Sequence, residues 1–298
     1  MKSSIFLSLV LISGIMMSAA VVTIPSFAFS PAGAPLIRSQ NGESLNWSGY
    51  AVSIPNVTSV SGTFVVPSVS GPGTVEGLST DVSVWVGIDG YTSGTVEQTG
   101  ISGSYNAASN TATYYAWYEM YPRGSSVIHS MTISSGDMIS ASVNYIGGGR
   151  FTLSISDSTS GQSFSITANA PRGGPNVAQR DSAEWIVERA ATIYKGYLTI
   201  LPLATFSAIT FQSASFTVGN EPSITLEYAV SHYTQYAGYP ATAPSQPYYE
   251  QMYIVTPSGN NVVQLDSTSG VTSNSFTVTF ITNGDPVVLP GIYRHSPP

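Results

Sequence analysis

The chain has 298 residues, of which only 8% are charged, where about 25% is usual for a globular domain. Its 16 acidic and 9 basic residues give a net charge of −7, and the basic residues are scattered singly, which excludes a phosphate-binding surface for nucleic acid. The absence of cysteine excludes disulfides, thiolate nucleophiles, iron–sulfur clusters and cysteine-ligated zinc.

The N-terminal segment has the pattern of a secretory signal. Lys2 precedes an apolar run over residues 5–24, which ends in small residues near Ser26 and Ala28, as signal peptidase requires. A retained membrane anchor is the alternative, because the run is nearly long enough to span a bilayer. We therefore predict a signal peptide over residues 1–28 and a secreted, extracellular protein with no stable membrane association.

The scarcity of charge suits acidic surroundings. Carboxylates are protonated in strong acid, and a chain rich in Lys and Arg would then become a self-repelling cation. A chain with 9 basic residues avoids most of this repulsion. We expect a protein adapted to an acidic environment, and the alternative is that it is simply Ser/Thr-rich, like other exported β proteins.

Most of the chain has the pattern of short strands. After a Pro/Gly/Ser-rich leader or short pro-segment at 29–44, runs rich in Val, Ile, Thr, Tyr and Phe alternate with turn residues. Representative runs lie at 62–67, 82–86, 140–145 and 275–280. The best helical candidate, 183–191, has a central Trp-Ile-Val that favours a strand. We predict one all-β domain over 45–290, an antiparallel β-sandwich, and a tail over 291–298.

Carboxylates within aromatic strands are the first candidates for chemistry. The period of two residues in a strand places Trp117, Glu119 and Tyr121 on one face, so that a carboxylate lies between two aromatic rings. The usual interpretation of such a residue is a carboxylate that is hydrogen-bonded within a polar layer. Several of them close to aromatic residues favour instead the cleft of a hydrolase or a saccharide binder.

Two further segments carry embedded acids. Trp85, Gly87 and Asp89 share a face, and Gly87 leaves room for a close approach to the backbone. Glu184 and Glu188 also share a face, roughly 13 Å apart along a strand, which is too far for a dyad. From these residues alone, the function is either that of an acid-tolerant extracellular hydrolase or that of a binding module.

Four motifs in order resemble those of the glutamic peptidases, the eqolisins. They are WVGIDG at 85–90, QTGI at 98–101, AWYEMYP at 116–122 and AEWIVE at 183–188. Weaker agreements extend the resemblance over about residues 45–280. The resemblance implies an antiparallel β-sandwich of two long, curved sheets, with a jelly-roll or concanavalin-like form and a Gln/Glu pair on a concave face. It departs from the fungal members in having no cysteine, only a short leader and Glu97 before the glutamine, so it resembles a prokaryotic branch.

The resemblance also implies roles for individual residues. The catalytic glutamine falls on Gln98 and the catalytic glutamate on Glu188, with Glu184 as the alternative within the same motif. The cleft would be lined or supported by Trp85, Asp89, Trp117, Glu119, Tyr121 and Glu184. The glutamate would serve first as the base that activates water and then as the acid, and Gln98 would orient the water and stabilise the oxyanion.

The resulting expectation is a secreted acid endopeptidase that acts on polypeptides as a monomer, without a metal or cofactor. No GxSxG, HExxH or paired Asp-Thr/Ser-Gly motif occurs, and each histidine is expected to be a surface or packing residue. The alternative is an acid-active glycoside hydrolase or carbohydrate-binding module, for which Glu119 and Glu188 would be the acid pair. A structural surface-layer protein is the third interpretation.

Overall fold

The computed structural model describes residues 36–40, 42–71, 79–171, 177–194, 197–236 and 246–292. These residues form 24 strands and one short helix. The strands are β1 (Arg38–Gln40), β2 (Glu43–Ser44), β3 (Trp47–Ser53), β4 (Val57–Val65), β5 (Val69–Ser70), β6 (Thr80–Ile88), β7 (Val96–Asn106), β8 (Thr111–Tyr121), β9 (Ser126–Val127), β10 (Met138–Gly147), β11 (Arg150–Asp157), β12 (Gln162–Asn169), β13 (Ser182–Glu188), β14 (Ala191–Tyr194), β15 (Tyr197–Ile200), β16 (Thr205–Phe206), β17 (Ile209–Val218), β18 (Ile224–Thr225), β19 (Thr234–Gln235), β20 (Tyr248–Ser258), β21 (Asn261–Gln264), β22 (Asp266–Thr268), β23 (Ser275–Phe280) and β24 (Val287–Ile292).

Two large sheets contain most of these strands. The larger sheet has the order β1-β2-β20-β3-β13-β6-β7-β8-β9, with β19 and β21 also paired to β20. The smaller sheet has the order β12-β11-β10-β4-β17-β23-β22, with β18 paired to β17. Strand pairs are antiparallel except where β2 and β19 run parallel to β20. Strands β14, β15 and β24 form a separate three-stranded sheet, and β5 pairs with β16.

The main core lies between the two large sheets. Val84 and Val86 of β6 and Trp185 of β13 belong to the same buried cluster as Phe64 of β4 and Phe211 of β17. Each of these strands buries alternate residues here, as the two-residue period requires. The two sheets therefore pack face to face as a sandwich, and the opposite face of each sheet points away from this core.

The outward face of the larger sheet has a second buried cluster. Trp85 and Ile186 lie there with Trp47, Trp117 and Met252, and the Trp47 and Trp85 rings meet edge to face with centroids 4.9 Å apart. The central strands β6 and β13 of this sheet contain no exposed residue, because both faces of the sheet are buried there. A sheet that is buried on both faces can hold polar side chains away from bulk water.

The predicted all-β antiparallel sandwich is confirmed. The strands expected at 62–67, 82–86, 140–145 and 275–280 fall within β4, β6, β10 and β23, although β4 ends at Val65. Residues 183–188 form a strand, as their central Trp-Ile-Val indicated. Residues 36–40 and 42–44, which were assigned to a leader, contain β1 and β2 on the edge of the larger sheet. The predicted signal peptide lies outside the described residues.

The sequence analysis did not predict the helix α1 (Leu226–His232). Thr225 caps it by accepting a hydrogen bond from the Tyr228 backbone N–H, and Leu226 and Ala229 are its buried residues. Seven residues are too few to show a helical period. Among the described residues, no helix has the length and apolar character needed to cross a bilayer.

Candidate active site

Four residues form a row across the outward face of the larger sheet. The registers of β13, β6, β7 and β8 place Glu184 opposite Gly87, Gly87 opposite Gln98, and Gln98 opposite Glu119. Residues that are directly opposite on neighbouring strands share a face. Since two strand spacings separate them, the Cα atoms of Glu184 and Gln98 lie about 10 Å apart. We call these four residues the Gln98 row.

Gly87 is the residue at the centre of this row. A Cβ atom at this position would lie 2.9 Å from the Trp85 ring and 3.2 Å from Cβ of Gln98. Any larger residue would therefore displace the Trp85 ring or the Gln98 side chain. The glycine lets the Trp85 ring lie against the strand between Gln98 and Glu184.

The polar atoms of the row are buried, and several of them have no partner. Gln98 and Glu184 are fully buried, and Glu119 is nearly so. In the described part of the chain, Gln98 Oε1, both carboxylate oxygens of Glu184 and the Trp117 indole nitrogen have no hydrogen-bond partner. Buried polar groups are usually satisfied, so a concentration of unsatisfied ones indicates a place for a water molecule or a ligand.

The electrostatic surroundings of Glu184 favour its protonated form. Burial is the largest effect and raises the pKa of Glu184 well above its ordinary value. The Ser182 hydroxyl lowers this pKa, and the negative charges of Asp89, Asp181 and Glu97 raise it further. Glu184 therefore holds its proton more firmly than an exposed glutamate does.

Gln98 is held in one orientation by its other neighbour. Its Nε2 donates a hydrogen bond of 2.8 Å to Glu119 Oε2, which leaves the second N–H of the amide group for another acceptor. Trp117, two residues from Glu119 on the same strand, is fully buried in the aromatic cluster, and Tyr121 packs against that cluster. The expected grouping of Trp117, Glu119 and Tyr121 on one face is thus observed.

Glu188 lies in a different row from Gln98. It is opposite Ser83 on β6 and Trp47 on β3, four residues along β13 from Glu184. Its Oε2 accepts a 2.7 Å hydrogen bond from the Trp85 indole N–H, and the Asn46 side-chain amide approaches Oε1 at 3.5 Å. The structure brings Glu184, rather than the predicted base Glu188, beside Gln98.

Asp89 supports the site from one end of β6. It follows the last residue of that strand with a φ of 73°, so strand alternation does not fix the direction of its side chain. Its carboxylate accepts hydrogen bonds of 2.9 Å from the backbone N–H groups of Arg180 and Asp181. Asp89 therefore anchors the segment that leads into β13 and is not part of the Gln98 row.

The registers separate the acid pair that was considered for a glycoside hydrolase. Glu119 and Glu188 lie three strands and four residues apart, or roughly 19 Å between their Cα atoms. A retaining glycosidase needs carboxyl groups about 5 Å apart.

His129 and His232 are exposed, and His295 lies outside the described residues. Within the described ranges, no cluster of three His, Cys, Asp or Glu residues could hold a metal ion.

Two contributors to the site could not be placed from the sequence. No pattern in the sequence singles out Asn46, although its side-chain amide approaches Glu188. Gly87 was expected to allow a close approach, but its position between Gln98 and Glu184 depends on how β6 pairs with β7 and β13. A sequence shows the alternation within each strand, but it does not show the register between strands that lie far apart in the chain.

Known proteins similar to this chain agree with the fold and with the ordered motifs. The sequence profile of the Peptidase A4 family matches residues 45–246. Aspergillopepsin-2 from Aspergillus niger is 32% identical over 192 residues, which are 59% of this chain and 65% of that protein. Scytalidopepsin B from Scytalidium lignicola is 34% identical over 188 residues, which are 62% of this chain and 67% of that protein. The first match thus spans slightly less than two thirds of its relative.

A solved structure is also similar over most of both chains. The crystal structure of scytalido-glutamic peptidase with a transition state analog inhibitor has a TM-score of 0.62 and 26% identity. The similarity covers 79% of this chain and 98% of that chain.

Proposed function

This chain belongs to the Peptidase A4 family, the glutamic peptidases, and we propose from this that it is an acid endopeptidase whose catalytic pair is Gln98 and Glu184. The observation that carries the proposal is the Gln98 row, in which the amide and the carboxyl face each other across Gly87. Both groups are buried, and each has polar atoms without a partner among the residues that the structure describes. The substrate we propose is a polypeptide.

Glu184 is the proposed base and acid. In its ionised form it takes a proton from a water molecule that Gln98 orients, and the water oxygen attacks the carbonyl carbon of the peptide bond. The same proton then passes from Glu184 to the departing amine as the C–N bond breaks. The raised pKa of Glu184, caused chiefly by burial, suits a group that must accept and return one proton.

Gln98 is the proposed partner of the developing negative charge. Since one N–H of its amide is committed to Glu119, the other N–H can donate to the oxyanion of the tetrahedral intermediate. Its Oε1 has no partner among the described residues and can accept a hydrogen bond from the attacking water. Neither role requires a change in the charge of Gln98, so both persist in acid.

Glu188 has a supporting role in this proposal. Its carboxylate is occupied by the Trp85 indole N–H, and Trp85 lies against the glycine at the centre of the row. Glu188 thereby fixes the ring that lies between Gln98 and Glu184 at Gly87. This assignment reverses the order of the two glutamates that we expected from the motif alone.

We also propose that the protein is secreted and works in acidic surroundings as a monomer. The apolar N-terminal run with its small-residue end supports export. The low content of charged residues, and the fully buried carboxyls Asp81, Glu97, Glu184 and Asp266, support operation in acid, where a protonated carboxyl is less costly to bury.

The test is cleavage of a denatured protein at about pH 3 to 5, where a glutamate can serve as a base, with a polysaccharide as the parallel substrate. We expect new peptide termini by mass spectrometry, no sugar release, and full activity in the presence of chelators and thiol reagents. Glu184→Gln protein from the same preparation is the matched control for a contaminating protease. Sugar release without proteolysis, or loss of activity with a chelator that zinc restores, would contradict the proposal.

A further inference from the structure

Glu97 is a buried carboxyl that the proposed reaction does not use. It is fully buried and lies opposite Ile88 in the β6–β7 register, so it points toward the face opposite to that of its neighbour Gln98. In the described part of the chain, no other residue donates a hydrogen bond to either of its oxygens, and only its own backbone N–H lies near its carboxyl. A buried carboxylate without donors is costly, so its environment favours the protonated acid.

The group that faces Glu97 is the carboxyl of Asp89, within hydrogen-bonding reach. Asp89 has the donors that Glu97 lacks. It accepts hydrogen bonds of 2.9 Å from the backbone N–H groups of Arg180 and Asp181, and one of 3.4 Å from the Thr95 hydroxyl. In this pair, Asp89 is therefore the natural acceptor, and a protonated Glu97 is the natural donor.

Asp89 also connects the two halves of the proposed active site. Its backbone N–H donates to the Ser182 carbonyl at 3.2 Å, and Glu184 follows Ser182 by two residues on β13. On the other side, Glu97 directly precedes Gln98 on β7. A bond between Glu97 and Asp89 thus joins the strand of Gln98 to the segment that positions Glu184.

The charges around this pair are of one sign. Burial, and then the neighbouring Asp89 and Asp181 charges, hold the pKa of Glu97 well above its usual value. Burial also raises the pKa of Asp89, although the Arg180 backbone N–H opposes this effect. Glu184 is the third carboxyl whose charge interacts with Glu97. The Arg180 guanidinium lies over the Tyr145 ring, 4.1 Å from its centre.

We propose that Glu97 and Asp89 share one proton in a carboxyl–carboxylate hydrogen bond that holds Glu184 and Gln98 in register, so that Glu97 is a positioning residue of the active site. The Glu97 O–H donates to an Asp89 oxygen. When that proton is lost to solvent base, two carboxylates face each other without a cation between them, and the connection between β7 and the start of β13 is broken.

The direction of the pH effect follows from the raised pKa values. At acid pH the folded pair holds its proton, and the link is intact. As pH rises, the unfolded chain releases both protons near the ordinary carboxyl pKa while the folded pair still retains one, so the free energy of unfolding falls with pH. The link is lost when the pH passes the pKa of the folded pair.

The test compares three variants of the full chain. Glu97→Gln keeps an N–H donor for Asp89 but cannot ionise, Glu97→Leu removes both donor and charge, and Glu221→Gln changes an exposed glutamate as the control. Thermal melting and tryptophan fluorescence are followed from about pH 3 to about pH 8, on either side of the carboxyl and raised carboxyl pKa values. These measurements do not require activity, so they test the pair even if the proposed peptidase function is wrong.

We expect Glu97→Gln to raise the pH at which the fold and its activity are half lost by at least about one unit, with Glu221→Gln unchanged. Glu97→Leu should also raise this pH. Because it lacks the donor, its kcat/KM at acid pH should be about 10-fold lower than that of Glu97→Gln, as expected when a catalytic group is misplaced slightly. An unchanged melting midpoint in both variants would overturn the proposal whether or not the protein cleaves peptides. Where the parent protein is an active peptidase, equal acid activity of the Gln and Leu variants would also overturn it.

Discussion

The outward faces of the two sheets follow the same strand alternation, but they differ in the burial and hydrogen bonding of their polar side chains. On the smaller sheet, outward hydroxyls pair across strands, as in Ser154 with Ser165 at 2.8 Å and Thr152 with Thr167 at 3.2 Å. On the larger sheet, the outward face buries Gln98 and Glu184, whose side chains include polar atoms without a partner in the described part of the chain. We call these the hydroxyl face and the carboxyl face.

The two faces differ in the energetic cost of their polar groups. A hydroxyl near water that also has a neighbour contributes little in either direction when it is removed. A buried carboxyl without a donor lowers stability, and it persists only where the surrounding packing holds it. This contrast supports the proposed reaction site on the carboxyl face and a scaffold role for the hydroxyl face.

The largest effect should come from the two glutamates of β13. Glu184→Gln removes the proposed base while it preserves shape, so kcat/KM should fall by at least about 10³-fold. Glu188→Gln weakens only the bond to Trp85 and should cost about 10-fold or less. Both variants should remain folded by circular dichroism. A nearly active Glu184→Gln beside an inactive Glu188→Gln would instead make Glu188 the base.

The next effect concerns the amide of the row. Gln98→Ala removes an oxyanion donor and the orienter of water, and should lower kcat mainly, by about 10² to 10³-fold. Combined with Glu184→Gln, the loss should be much smaller than the product of the two single losses, because the residues act as a unit. Steady-state kinetics of the two single variants and the double variant measure this. Full additivity would mean that the two residues act independently.

Stability should depend on pH because of acids outside the active site as well. Burial raises the pKa of Asp81 to about 6 and that of Asp266 to about 7. The folded chain then holds protons that the unfolded chain releases, so the free energy of unfolding is highest below about pH 4 and falls toward pH 7. Asp81→Asn should flatten part of this decline in thermal melts recorded across the range. A melting temperature that rises from pH 4 to pH 7 would contradict the assignment.

The sequence predicted which residues of each strand share a face. The structure explains why the sequence alone did not identify the glutamate that lies in the row of Gln98. Within AEWIVE, Glu184 and Glu188 are an even number of residues apart on β13, so they share a face and differ only in their position along the strand. The register of β13 with β6 and of β6 with β7 decides which of them lies opposite Gln98. These pairings join segments up to about a hundred residues apart, and a slip of four residues would leave every local pattern unchanged.

The sequence was more informative where local chemistry decides the structure. Aromatic and β-branched runs predicted the strands around Trp85 and Trp185, because burial on a pleated surface selects these residues. The burial of Glu97 could not be predicted, because a single glutamate beside Gln98 is equally compatible with an exposed residue. Its inward direction follows from its place opposite Ile88, and thus again from the register.

The smallest effect is expected on the hydroxyl face, and it tests whether the contrast between the two faces is real. Ser154→Ala together with Ser165→Ala removes both members of a cross-strand pair that lies at the surface. Because neither change leaves a buried polar atom without a partner, the free energy of unfolding should change by less than about 0.5 kcal/mol. For a domain of this size that is a shift in Tm of less than about 2 °C. Peptide cleavage should be unchanged, since these residues lie on the sheet that does not contain the Gln98 row. A loss of activity at unchanged Tm would show that the hydroxyl face takes part in substrate binding, and the division between scaffold and reaction site would then fail.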